Sequence, residues 1–548
     1  MKSTIHGILL LLCAACPAFG QSDDAPVKFE AADVRVSPQT QNQFVRARPV
    51  HAGRYDVAQA SMLDLIHIAY NFNYDKVLGG PSWLEMDRYD ISAKVPPESS
   101  PDALKTMLQN LLADRFKLVV HKETKPMPAY MLTVGKKPQL KQADGTEDSG
   151  CKPAAPNGPR EGTIRLMAAG GDGNGGTSFT LGPGGTVQWE CRNMTMAAFA
   201  MGLPSMFGSQ LGSNPVIDDT GLKGGWNFDV RWSIGMMGPG MGNQGEHVTV
   251  FEALDKQIGL KLEERPVPTP VIVVDSVNRK PSDNPPGTVE ILPPVTLPTE
   301  FEVASVKPAD PNERSSFRPM AAGRYTGNGL PLRRLVIQAL GANLQDIVGL
   351  PSWVDTERFD IVAKAPGDPA MYPPGMEAIA PMLKALLVDR FKLAYHTEER
   401  TLPAFTLTAG KPKMKKADPA SRTFCHNGRP PAGSPPGSQL LTCQNITMEQ
   451  FVDHLRYTAP ELNVPVADAT GLEGGWDFTL LFSFNVMMPF NMRGGDAAAG
   501  AATAAPDPNG GLTIFEAVEK ELGLKLEKQK RPVTVIVIDH IEQKPTEN

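Results

Sequence analysis

The sequence predicts an α+β protein built from two homologous domains, and three observations carry that prediction. At 548 residues the chain exceeds what one hydrophobic core usually supports. Its two halves repeat each other in order. Within each half, apolar residues switch between helical spacing and strand alternation.

The repeat is legible segment by segment. FEAADVRV (29–36) faces FEVASVKP (301–308), and AGRY (52–55) faces AGRY (322–325). GGPSWLEMDRYDISAK (79–94) faces GLPSWVDTERFDIVAK (349–364), with nine identities in sixteen positions. LLADRFKL (111–118) returns as LLVDRFKL (386–393), TGLKGGWNF (220–228) as TGLEGGWDF (470–478), and IGLKLE (258–263) as LGLKLE (522–527). VIVVDSVNRKP closes one half at Pro281 and VIVIDHIEQKP closes the other at Pro545. Matches this ordered mark a tandem duplication, with copies at 27–281 and 300–545. Residues 282–299 between them are proline-rich and read as an extended, semi-rigid spacer that holds the copies apart.

Each copy divides into two helix-strand-helix-strand-strand units, expected to form small mixed sheets packed by helices. In the second copy, the helical stretch 331–340 precedes the strand RFDIVAK, and the amphipathic helix ending in LLVDRF follows it. Two strands then close the unit, around a charged, proline-containing stretch that reads as a turn. The second unit opens with a capping box, Thr447 and Gln450, and continues through WDFTLLFS and FEAVEKEL to its own pair of strands. Asp114-Arg115 and Asp389-Arg390 fall in the last turn of their helices, where a cation suits the negative dipole end. No base, nucleophile or ligand lies near them in sequence, so these pairs read as structural.

Composition is that of an ordinary folded protein, 41% apolar and 21% charged. The net charge of -6, with no basic stripe interleaved with aromatics, excludes a nucleic-acid surface. The front end, MKSTIHGILLLLCAACPAFG, has the basic start, short apolar run and small residues of a signal peptide spanning 1–20, with Gln21 as the mature terminus. No later apolar run is long enough to span a bilayer. The expected location is periplasmic or extracellular, and lipid attachment at Cys16 is the alternative. Four cysteines remain in the mature chain. The repeat puts two in the middle of each copy, which makes Cys151–Cys191 and Cys425–Cys443 the economical disulfides, each contributing roughly 2–4 kcal/mol.

The unit with endings such as LGLKLE and VIVID resembles the short N-terminal domains of secretins and TonB-dependent receptors. The full set of GLPSW, ERFDI, LLVDRFKL, TGLEGGWDF, ELGLKLE and VIVID resembles an uncharacterised secreted domain family expanded in soil acidobacteria. That likeness spans nearly all of both copies. Members of that family also occur behind membrane metallopeptidases of the beta-lactam-sensor type, a part for which this chain has neither an HExxH motif nor a transmembrane array. The resemblance implies an envelope location and supplies no catalytic residues.

Candidate chemistry is sparse. His121 with Glu123, and His396 with Glu398, place imidazole and carboxylate on one strand face in both copies, a pattern that suits metal chelation or acid–base work. The other histidines (His51, His67, His247, His426, His454 and His540) have no counterpart in the repeat. Met236, Met237 and Met241 match Met487, Met488 and Met492, and thioethers are soft ligands for Cu(I), so Met237, Met241, Met488 and Met492 are metal candidates alongside the two histidines. The Gly-Gly-Trp triplets at 224–226 and 474–476 read as core anchors with glycines supplying positive φ. No catalytic set and no cofactor site emerges. The expectation is an exported, non-enzymatic binding or scaffold protein whose partner is an envelope protein or surface polymer. The alternatives are a hydrolase-like enzyme with a site at a domain interface and a methionine-based copper-binding protein.

Overall fold

The computed structural model describes residues 27–547 apart from 39–44, 49, 147, 155–163, 169–176, 182–185, 212–213, 234–247, 293–296, 311–314, 322, 343, 368–375, 429, 432–433, 436–437, 460–461, 463 and 484–510. The predicted signal peptide with Cys16 lies outside the described residues, as do all six repeated methionines. The fold is mixed α+β, as expected.

Each copy consists of two lobes strung on one long two-stranded ribbon. In the first lobe of the first copy, Ala31–Val36, Arg88–Lys94, Arg54–Ser61 and Arg46–Ala47 form an antiparallel sheet in that order. Tyr89, Ile91 and Ala93 alternate inward from the second of these strands. Helices Met62–Tyr70 and Pro101–Phe116 cover this sheet, and Tyr89 meets Phe116 edge to face at 4.9 Å in the core. Ser61 caps the first helix in a reciprocal box with Asp64. Ser100 caps the second, with Pro101 in its first turn.

The second lobe pairs Thr186–Met194 with Trp226–Ser233 on one side and Gly150–Pro153 on the other, under helix Met196–Leu211. Cys191 stands opposite Cys151 in register and the two are disulfide-bonded; Cys443 and Cys425 do the same in the second copy. The predicted pairing is therefore the one present.

The ribbon is where sequence expectation and structure part. Val119–Val134 runs antiparallel to Leu260–Ser276 along its whole length, and Ala394–Ala409 pairs likewise with Leu524–His540. The stretches expected as turns are continuous strand instead. A two-stranded ribbon leaves every second N–H pointing outward, so proline is tolerated at those positions. Pro128 faces Pro266 and Pro126 faces Pro268, while Pro403 and Pro532 sit two registers apart on opposite strands. The two ends of each ribbon belong to different lobes. Val77–Gly79 adds in parallel at one end of the first copy's ribbon and Val216–Asp218 at the other.

The spacer expectation is also corrected. Residues 282–284 are fastened to the first copy: the Arg115 guanidinium donates to Ser282 Oγ at 3.1 Å and to Asn284 Oδ1 at 2.7 Å, and Val34 N donates to Asn284 Oδ1 at 2.9 Å. A short helix, Thr288–Ile291, follows, with Thr288 and Leu292 buried. This gives the repeated octet its role. Arg115 reaches past its helix end to hold the segment after the copy's last strand, where Ser282 N donates to Arg115 O at 2.9 Å. In the second copy Arg390 contacts Glu547 O, and Thr546 N donates to Arg390 O at 2.8 Å. Lys117 and Lys392, both left-handed at φ 52°, end the two helices.

The glycine doublets do two separate jobs. Gly224 and Gly474 take positive φ, at 86° and 72°. Gly225 and Gly475 do not; a Cβ there would collide with the side-chain oxygen of Asn193 or Asn445. Those asparagines are themselves left-handed residues at the irregularity between Cys191 and Met194, or between Cys443 and Ile446.

Candidate functional site, a cleft between the copies

The copies touch. Thr423 N, in the second lobe of copy two, donates to Ser82 O in the first lobe of copy one at 3.0 Å, and Arg422 Nη1 donates to Val77 O at 2.7 Å. Arg422 also pairs with Glu85, whose other oxygen accepts from His426 Nε2 at 2.8 Å. Only 9% of the Glu85 side chain is exposed, yet burial, which raises a carboxyl pKa, is outweighed by the His426 hydrogen bond and the Arg422 charge, and Glu85 is held below its usual range.

These contacts bound a cleft of about 1120 Å³ lined by both copies. One wall is made by the start of helix Met62–Tyr70 and the turn after it. Asp64, buried by its helix cap, accepts from Ser61 N and Oγ at 2.7 Å, from Arg88 Nη1 at 2.9 Å and from Tyr74 Oη at 3.0 Å. Burial first, then the Asp64 charge and hydrogen bond, push the Tyr74 hydroxyl up to about 12. His67 stacks on the Tyr74 ring with centroids 4.4 Å apart. Its Nδ1 lies 2.6 Å from the Phe72 carbonyl, which can only accept, so Nδ1 carries the proton and Nε2 is left outside that bond. The facing wall is the edge of the second copy's sheet, where Phe424 and His426 stack at 4.5 Å and Gln444 lies opposite Phe424 in register.

Chemically, this arrangement holds charge fixed. Asp64 is matched by Arg88, Glu85 by Arg422 and His426, and Asp75 by Lys76 at 2.7 Å. Tyr74 and Glu85 are both moved away from the neutral range in which an acid or base does most work.

The residues singled out from sequence lie elsewhere. His121 and His396 are half-exposed on the ribbons, each with Nδ1 donating to a carboxylate on the paired strand: Asp275 at 2.9 Å and Asp539 at 2.9 Å. Glu123 and Glu398 approach the opposite ring nitrogen, at 3.9 and 3.6 Å. Carboxylates on opposite sides of one imidazole do not converge on a common point, and among the described residues no group of three or more His, Cys, Asp or Glu side chains is placed to hold a metal ion. Met237, Met241, Met488 and Met492 lie outside the described residues. The cleft is not legible in what the repeat preserves. His67 and His426, which have no counterpart in the repeat, are the histidines that line it. Their lack of counterparts was the available signal.

Among the described residues no helix is long and apolar enough to cross a membrane. No curated protein and no solved structure matches the chain. A family model described as a protein of unknown function, DUF3738, matches residues 63–277 and again 333–541, so the chain belongs to that family and carries its domain twice.

Proposed function

We propose that this is an exported, non-enzymatic binding protein of the cell envelope whose ligand site is the cleft between its two copies. The observation that supports this most is that the cleft walls come from different copies and use residues the duplication does not repeat. At the positions of Asp64, Tyr74 and Glu85 the second copy has Arg334, Leu344 and Asp355. At the positions of Arg422, Phe424 and His426 the first copy has Asp148, Gly150 and Lys152. One composite site, rather than two equal sites adding avidity, follows from that asymmetry. The signal-like leader and the two disulfides support export. The likeness to secreted acidobacterial domains supports the envelope.

The test is retention of envelope material by the immobilised mature chain and by Tyr74→Ala and Arg422→Ala variants. Retention by the wild type that falls in both variants, with circular dichroism unchanged, is the expected result. Retention that is indifferent to both variants, or turnover of an envelope substrate by the purified chain, overturns the proposal.

A further inference from the structure

We infer that the cleft takes a neutral oligosaccharide, with its sugar rings laid against the stacked aromatic-imidazole pairs on the two walls. This rests on the cleft being a binding site and deepens that reading by naming the ligand class. Three features carry it.

The first is charge. Each carboxylate on the walls already has a cationic partner within the protein, so neither an anion nor a cation would gain a counter-charge, and either would lose its hydration. A neutral ligand avoids that cost.

The second is shape. His67 with Tyr74, and Phe424 with His426, form two near-parallel stacks, with interplanar angles of 22° and 20°, one on each wall. Tyr74 remains 43% exposed despite its stacking and its bond to Asp64. Flat aromatic surface left open beside hydrogen-bonding groups suits a ligand with apolar C–H faces and a polar rim, which describes a pyranose ring.

The third is the hydrogen-bonding inventory. Asn73, Asn427 and Gln444 line the cleft with amides, each offering donors and an acceptor on one plane. Vicinal hydroxyls, which both donate and accept, match such groups. The volume of about 1120 Å³ exceeds what a single sugar fills and admits several.

The experiment is isothermal titration of the full mature chain with soluble neutral hexasaccharides of glucose, N-acetylglucosamine, xylose and mannose. A parallel pull-down uses the corresponding insoluble polymers. Binding by at least one soluble series is expected, weakened roughly tenfold by Tyr74→Ala and by Phe424→Ala, the scale of one lost ring contact, and largely kept by Tyr74→Phe, which retains the ring without the hydroxyl. Binding of the polymer together with its soluble hexamer identifies an internal stretch of glycan as the epitope. Binding of the hexamer alone identifies free chains or chain ends. If no saccharide binds while envelope protein is retained in a cleft-dependent way, the ligand class is wrong and the binding-protein reading stands. If nothing is retained by either assay, both fall.

Discussion

The first lobes of the two copies share a backbone plan and differ in what they do with one helix end. In copy one, Ser61 and Asp64 close a capping box and Asp64 gathers Arg88 and Tyr74 around it. In copy two, Pro331 and Arg334 occupy those positions; Arg334 lies over the Phe317 ring at 5.6 Å, and Arg358, the counterpart of Arg88, turns to Ser315 Oγ at 2.8 Å. A second difference follows the same logic. Asp355 is paired within its own copy by Arg333 at 2.6 Å, whereas its counterpart Glu85 has Leu63 at that place and pairs with Arg422 and His426 of the other copy. Leucine in place of arginine at position 63, together with Arg422 and His426 on the facing lobe, turns a local ion pair into an inter-copy contact. The duplication repeats the frame, and differences at helix ends and turns make a single cleft between two lobes that are not each other's equivalents.

The largest effects are expected in stability, and each gives a way to break the comparison. The Cys151–Cys191 bridge spans 40 residues and Cys425–Cys443 spans 18. Loop-closure entropy then assigns roughly 3.9 kcal/mol to the first and about 3.2 to the second. Replacing each pair by alanine should loosen the second lobe of copy one more than that of copy two, read lobe by lobe through amide hydrogen exchange. Equal or reversed losses would show that chain entropy is not what separates them. Next is the helix-end arginine. Arg115 is 7% exposed and its loss removes the guanidinium donors to Ser282 and one of the two donors to Asn284 Oδ1, so Arg115→Ala should cost roughly 2–3 kcal/mol of protection in that lobe. Arg390→Ala should cost about half as much, because its side chain is more exposed and its main non-local contact is a single carbonyl near the chain end.

How much of this was written in the sequence follows from the range of each interaction. Local chemistry was legible: the Thr447–Gln450 cap, the helix before each ribbon strand, and the disulfide pairing all depend on residues close in sequence or on the repeat itself. The ribbons were not, because a proline inside a polar stretch reads as a turn unless the partner strand 130 or so residues away is known; Pro403, for instance, faces Lys530. The docking of residues 282–284 depends on Asn284 meeting Asp33 and Arg115, contacts with no sequence periodicity. The cleft was least legible of all. Its walls are more than 300 positions apart in the chain, as the separation of 341 between Glu85 and His426 shows, and no linear motif joins them.

A smaller effect tests whether the site is truly one-sided. Tyr74→Leu gives copy one the residue that copy two carries at position 344. Tyr74 is 43% exposed, so folding should be little changed, while affinity for cleft ligand drops roughly tenfold. The reciprocal Leu344→Tyr should restore nothing, because the residues that would face it from the other copy are not those of the second wall. Gain of binding in that variant would mean that each copy holds half of an independent site.

The smallest expected effect concerns acid. Glu85 is held below its ordinary value of 4.5 by His426 and Arg422 against the opposing effect of burial. A carboxylate with a depressed folded pKa contributes stability that is present above the unfolded value and disappears as pH falls through the folded one. The contribution of Glu85 to the inter-copy contact should therefore be present above about pH 4.5 and weaken below it. Hydrogen exchange at 77–85 and 421–426 should rise in that window while exchange around Arg333 and Asp355, whose pairing lies within copy two, follows a separate course. In Glu85→Gln the two inter-copy segments should already exchange faster at neutral pH and gain little more on acidification. If they instead stay protected to low pH in the wild type, the backbone bond from Thr423 to Ser82 and the Arg422 bond to Val77 hold the copies together without the ion pair, and the divergence from Arg333 to Leu63 shaped the cleft wall rather than its attachment.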